Sequence, residues 1–147
     1  MNIFMQIIQN KYAMVPFLTW LAIQIFKVIC DLITKKKFDF KRILGAGGMP
    51  SSHSAIVVTL TIMVAKKYGF DSPMFAICGI FSMIVMYDAA GVRRAAGKQA
   101  RLLNKIVDTP GLTGLQVQEK LVEALGHTPI QVFVGAIIGI IVGAIFG

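Results

Sequence analysis

Residues Gly47–Lys67 read GGMPSSHSAIVVTLTIMVAKK: a glycine pair, a proline, a cluster of serines around a histidine, an apolar run and two closing lysines. Gly47 and Gly48 let the backbone turn tightly and bring its amides close to a ligand. Pro50 suits the first turn of a helix, and Ser51 or Ser52 can cap its orphan N–H groups. The apolar residues after them make a membrane helix. A helix start of this kind attracts anions, because free amides and the helix dipole both favour negative charge. His53 then stands beside the anion as a proton donor or acceptor. The plainer alternative is a capped membrane-helix start with a stray histidine.

The rest of the chain agrees with a membrane setting. It has 147 residues, of which 56% are hydrophobic, and a mean hydropathy of +0.72. That is too apolar for a small soluble domain. A net charge of +8 on so apolar a chain concentrates the basic residues in a few loops. Cys30 and Cys78 both fall in apolar segments, so neither a disulfide nor a zinc site is suggested. Met1–Asn10 carries no basic residue ahead of its apolar ones and no small-residue cleavage site, so no removable signal peptide is expected.

The expected architecture is an all-α integral membrane protein, one domain over 1–147, with about four transmembrane helices at 12–34, 51–67, 72–90 and 129–146. Pro16 is tolerable near the start of the first span, and Lys27 and Asp31 form an i,i+4 pair within it, read as structural. The third span ends in Asp88 and is followed by GVRRAAGKQARLLNK, where Arg93, Arg94, Lys98, Arg101 and Lys105 recur at helical intervals. That pattern predicts a basic amphipathic helix at the membrane surface. Asp108–Gly111 breaks it, and Thr113–Leu125 reads as a second short amphipathic helix, so that 91–125 is an interfacial region. For the last span Thr128 is the N-cap, Pro129 the first helical residue, and His127 stands just ahead. Gly135, Gly139, Gly143 and Gly147 form an every-fourth-residue stripe that lets helices approach closely, within the chain or across a homodimer. Four spans are few for enclosing a site, which favours the dimer.

Alternating four spans places both histidines, the run Lys35–Arg42, the cluster Arg93–Lys105 and Lys120 on one face, leaving Lys11, Lys66 and Lys67 on the other. The positive-inside rule makes the histidine face cytoplasmic in a cell-membrane protein. The chain has only two histidines. Two helix starts, two imidazoles and a group of Arg and Lys on one face suit phosphate or another small oxyanion. Phosphoryl transfer needs positive charge around the equatorial oxygens, an in-line nucleophile and an acid for the leaving oxygen. One histidine can be the nucleophile and the other the acid.

GGMPSSHSA, DAAGVRRAAGKQA and GHTP together resemble the small, divergent membrane branch of the type-2 phosphatidic acid phosphatase superfamily, which also contains vanadium-dependent haloperoxidases. The resemblance runs from about Tyr12 to the C-terminus. The family's first motif, lysine, six residues, arginine and proline, is matched by Lys35 and Arg42, with Ile43 in the proline's place. Its second, proline-serine-glycine-histidine, falls on Pro50, Ser51, Ser52 and His53, with Ser52 replacing the glycine. The resemblance implies that Ser51 and adjacent amides, Ser52 included, bind phosphate and that His53 protonates the leaving group. His127 would be the nucleophile of the third motif. Leu121 occupies the place of that motif's arginine, a role open to Arg93 or Arg94, with Lys98 nearby. Gln131 stands where the family has an aspartate; its amide oxygen can orient the ring, and Asp88, Asp108 and Glu123 are candidates for the missing carboxylate.

The function implied by the resemblance is hydrolysis of a lipid phosphomonoester or pyrophosphate through a phosphohistidine, without a metal or other cofactor and with no nucleic-acid partner. Candidate lipids are phosphatidylglycerol phosphate, phosphatidic acid and undecaprenyl diphosphate. Two other classes stay open: a non-catalytic phosphate-lipid-binding protein, and a small oligomeric channel or transporter built on the glycine stripe and Lys27–Asp31.

Overall fold

The computed structural model describes residues 2–35, 48–109, 121–123 and 125–147. The helices are α1 (Ile3–Gln9), α2 (Lys11–Lys35), α3 (Ser52–Tyr68), α4 (Pro73–Ala90), α5 (Val92–Val107) and α6 (Pro129–Phe146). Helix α1, seven residues with Ile3, Phe4, Ile7 and Ile8 all exposed, was not read from the sequence. It is followed within two residues by α2, which places Pro16 in the second turn of that helix rather than the first.

Helix α3 is the axis of the fold, packed against α6 most extensively and then against α4 and α2. It buries Ser52, Ser54, Ala55, Val57, Val58, Thr59, Thr61, Met63, Val64 and Ala65. The most apolar helix, α6, buries only Gly135, Gly139 and Gly143, and α4 buries only Ser82 and Ala89. This inverts the pattern of a water-soluble protein: small and hydroxyl side chains point inward while Ile77, Ile80, Met83, Ile84, Ile141 and Ile145 face out. Lipid solvates those apolar side chains, so close backbone approach and interhelical hydrogen bonds hold the bundle. One such bond joins the Thr61 and Ser82 hydroxyls at 2.8 Å between α3 and α4.

Among the described residues three helical stretches are long and apolar enough to cross a membrane: Lys11–Thr34, Pro73–Val107 and Pro129–Phe146. The remaining expected span, α3, has 17 residues and ends in Lys66, Lys67 and Tyr68. Because three other helices wall it in, α3 has no need of a lipid-facing apolar surface. At its far end Lys66 Nζ donates to the Ala144 carbonyl at 2.6 Å, and Lys11 Nζ to the Gly147 carbonyl at 3.0 Å. Both ammonium groups thus satisfy carbonyls at the negative end of the α6 dipole.

The glycine stripe is consumed inside the chain. A Cβ at Gly139 would lie 2.8 Å from the Ala55 carbonyl oxygen and from Val58 Cβ, and one at Gly143 would lie 2.8 Å from the Thr59 carbonyl oxygen and Ile62 Cβ. Gly135 meets the Ser51 carbonyl and the Ser54 side chain in the same way. Within the chain, α3 thus occupies the seam of Gly135, Gly139 and Gly143 through which a homodimer was expected.

Beyond Gly91 the chain enters α5, whose buried face is Gly97, Ala100 and Asn104. Against it lie Leu121–Glu123 and Leu125, where a helix was expected over Thr113–Leu125; residues 110–120 and 124 lie outside the described set, and the described part is not helical. Asn104 replaces the missing helical hydrogen bonds. Its Nδ2 donates to the Leu121 carbonyl at 2.9 Å and its Oδ1 accepts from the Leu121 amide at 3.0 Å. The same Nδ2 reaches Glu123 Oε1 at 2.9 Å, and Arg101 pairs with Glu123 at 3.3 Å. Asn104→Ala leaves both Leu121 backbone groups without these partners. We expect it to cost about 1–3 kcal/mol and to loosen the segment leading to His127, measured as faster amide exchange over residues 121–127.

Candidate phosphate site

The site forms where α3 and α6 begin and α4 ends. Gly126, at φ +81°, lets the chain turn, and it fits against the backbone of Arg93 and Arg94 so closely that any side chain would collide with it. The His127 amide then donates to the Ala89 carbonyl at 2.9 Å, fixing the residue to the last turn of α4. Thr128 caps α6 and Pro129 is its first residue, as the local sequence predicts. On the facing side Ser51 caps α3 and the helix starts at Ser52, so Pro50 lies ahead of the cap and not in the first turn. The Met49–Pro50 peptide is cis. The Ser51 amide donates to the Gln131 carbonyl at 3.0 Å, tying the two helix starts together.

These constraints bring the two imidazoles side by side, with ring centroids 5.9 Å apart and an edge-on tilt of 62°. His127 is 2% exposed, and neither of its ring nitrogens has a partner at hydrogen-bonding geometry among the described residues; nor has Nδ1 of His53. Buried polar atoms without partners are rare and call for an explanation, an absent ligand being one. Burial first, and then the positive charges of Lys27 and His53, push the His127 pKa from 6.5 down to about 4, with the Gln131 side chain and the Gly48 backbone acting the other way. The ring is therefore neutral at pH 7, the form a nucleophile needs.

The remaining predicted residues divide. Arg93 stands at the start of α5 with its Nε 2.6 Å from Asp88 Oδ2, both half exposed, and the charges of Arg93 and Asp88 both reach the His53 ring. Asp88 is thus the candidate carboxylate nearest the histidines. Glu123 is engaged by Arg101 and Asn104, and Asp108 caps the far end of α5. Arg94 is half-buried with its backbone under Gly126, whereas Lys98 is exposed on α5. Arg42 and the side chain of Lys35 lie outside the described residues. Ser51 and Ser52 are both buried. Ser51 Oγ accepts from the Ser54 amide at 3.3 Å and from Ser54 Oγ at 3.0 Å, which uses its two lone pairs and leaves its O–H to donate. Gln131 has a task that the sequence reading did not give it: its side-chain oxygen accepts from the Thr128 amide at 3.0 Å and closes a capping box, while its side chain also acts on the His127 ring.

Lys27, read from the sequence as one half of a structural pair with Asp31, is 4% exposed, and its charge reaches both imidazoles. The signal available was the polar series Gln24, Lys27 and Asp31 on one side of an otherwise apolar span.

An all-α bundle with helices of membrane-crossing length and paired histidines at its helix starts defines a small membrane protein. The chain belongs to the divergent PAP2 family, whose model matches residues 8–142. It is 44% identical over 129 residues to the uncharacterized membrane protein YuiD of Bacillus subtilis (strain 168), covering 80% of this chain and 82% of that protein. No solved structure matches the chain.

Proposed function

We propose that the protein is a membrane lipid phosphatase acting on a phosphomonoester or pyrophosphate lipid. The observation that carries this reading is the neutral, buried His127 facing His53 across 5.9 Å at the start of α3. A ring nitrogen of His127 attacks phosphorus as the P–O bond to the leaving group breaks. Protonated His53 gives its proton to the departing oxygen and becomes neutral. It then takes a proton from water, whose oxygen attacks the phosphohistidine, releasing phosphate and restoring both rings. Arg93 supplies positive charge to the phosphoryl oxygens, with the O–H of Ser51 and the helix start as neutral donors. Arg94, Lys35, Arg42, Ser52 and Lys98 remain in the reading as further contributors to anion attraction.

The positive-inside distribution supports four spans with the site on the cytoplasmic face of the cell membrane. A site there favours a lipid phosphate made on that leaflet, such as phosphatidylglycerol phosphate, over undecaprenyl diphosphate presented outside. Phosphatidic acid fits the same chemistry. A second reading, a phosphate-lipid binder without turnover, is favoured by two observations: Gln131 is engaged in its capping box, and His127 is almost fully covered. Phosphate release by purified protein in detergent with EDTA, across a panel of lipid phosphates, separates the two. Release that disappears in His127→Ala supports the phosphatase; lipid phosphate that binds and persists intact supports the binder.

The pH dependence follows from His127. Its folded pKa of about 4 lies below the ordinary 6.5, so between those values the unfolded chain binds more protons than the folded one. Stability therefore falls as pH drops from 6.5 toward 4 and gains no further loss from this residue below that. For activity, the limb of kcat/KM that reports protonation of His127 should fall near pH 4. This is checked with a lipid pyrophosphate, and with melting temperatures measured over the same range.

A further inference from the structure

We infer that Lys27, from within helix α2, is the cation that grips the phosphoryl group between His53 and His127, opposite Arg93. This rests on the reading of the site as a phosphate site and names a residue that neither the family motifs nor the basic loop supplies.

The placement comes first. Ile23 and Phe26 of α2 line a crevice of about 260 Å³ together with Pro50, next to the α3 cap, and Ile138 of α6. Residues 23–27 of α2 therefore lie close to the level at which α3 begins. The buried face of α2 at this level is Ile23, Gln24 and Lys27, exposed by 5%, 4% and 4%. Lys27 follows Ile23 by four residues and Gln24 by three, so the three share one side of the helix. That side is turned to α3, the principal packing partner of α2.

The chemistry comes second. An ammonium group within a membrane-spanning helix is costly, faces the bundle interior, and marks a functional position by default. The imidazole it faces, His127, is itself more than nine-tenths buried with both ring nitrogens lacking hydrogen-bond partners among the described residues. A positive side chain, an unsatisfied imidazole and a helix start enclosing one spot call for a single occupant, an anion bearing several oxygens. Lysine offers three donors on a compact charge. A dianionic phosphoryl group between Lys27 and Arg93 would meet one positive charge on each side, with the exposed Asp88–Arg93 pair weak enough to yield. The oxygens are then held from α2 and from the first turn of α5.

The test uses the full chain in phosphatidylcholine nanodiscs, histidine-labelled for NMR, with inorganic phosphate as probe. Two quantities are read from His127: the phosphate dissociation constant, and the pH midpoint of its ring without phosphate. The ring is faced by Lys27 from α2, His53 from α3 and Gln131 from α6. Lys27→Met should weaken phosphate binding by at least about tenfold and raise the midpoint, since a neighbouring positive charge is gone. Asp31→Asn should leave both quantities near wild type. If Lys27→Met changes neither quantity, or if Asp31→Asn reproduces its effects, Lys27 is a structural lysine and the inference is overturned while phosphate binding stands. If folded wild type binds no phosphate, the phosphate-site reading falls and this inference with it. Should Lys27→Met not fold, Lys27→Gln carries the same two readouts.

Discussion

His127→Ala should lose lipid phosphate release by on the order of 10⁴-fold or more, because removing a nucleophile removes the covalent route entirely. His53→Ala should behave differently. A general acid contributes about 10²–10⁴-fold, and its worth depends on how badly the leaving oxygen needs a proton. A lipid alkoxide leaves poorly without one, whereas a phosphate leaving from a pyrophosphate lipid is already a stable anion. His53→Ala should therefore be far more damaging with phosphomonoesters than with pyrophosphates, while His127→Ala is equally damaging with both. A phosphoenzyme that is labile in acid and stable in base should be trapped in wild type and be absent in His127→Ala. Equal losses in both variants with every leaving group would assign the histidines to binding rather than to separate chemical roles. With centroids at 5.9 Å, the two rings are close enough for both to act on one substrate group bound beside them.

The second large effect is structural. Gly139→Leu should prevent the native bundle from forming, at a cost above about 3 kcal/mol, because the added atoms meet backbone that cannot yield. At Gly139 even the first carbon stands 2.8 Å from the Ala55 carbonyl and 3.0 Å from the Thr59 amide nitrogen, so α6 must separate from α3. That separation would break the Ser51–Gln131 link and release His127 from His53. Gly79→Leu is the matched control: nothing lies within 4 Å of its Cβ position on α4, and an extra apolar side chain there is solvated by lipid. Thermal melts in detergent and chromatographic size, measured together, decide the matter. Loss of folding in Gly139→Leu alone supports the intrachain seam. A folded monomer derived from a wild-type dimer would instead return the stripe to an interface between copies.

The long helices and the start of α6 were readable because each depends on chemistry within about one turn or on a run of apolar residues. Thr128 and Pro129 start α6, and Ser72 and Pro73 start α4; apolar runs of membrane length set where the long helices lie. The two histidine motifs were readable for the same reason, each being a short string at a helix start, and family membership followed from them.

What the string of residues could not decide was which faces meet. In lipid both sides of a span can be apolar, so periodicity does not say which side packs, and the stripe of Gly135, Gly139 and Gly143 served a dimer and an internal seam equally well until α3 was seen against it. The segment Leu121–Leu125 misled because its hydrogen-bond partner is a side chain on another element, Asn104, which no local pattern reveals. Gln131 was read only as a partner of the imidazole, whereas its oxygen also holds the Thr128 amide. The role of Lys27 was hidden most completely. Its neighbour in sequence is Asp31, while the imidazoles that feel its charge lie 26 and 100 residues further along the chain and are brought to it only by packing of α2 on α3. Local chemistry determined the elements and the reactive groups; the long-range contacts that only folding creates decided which of those groups share a site.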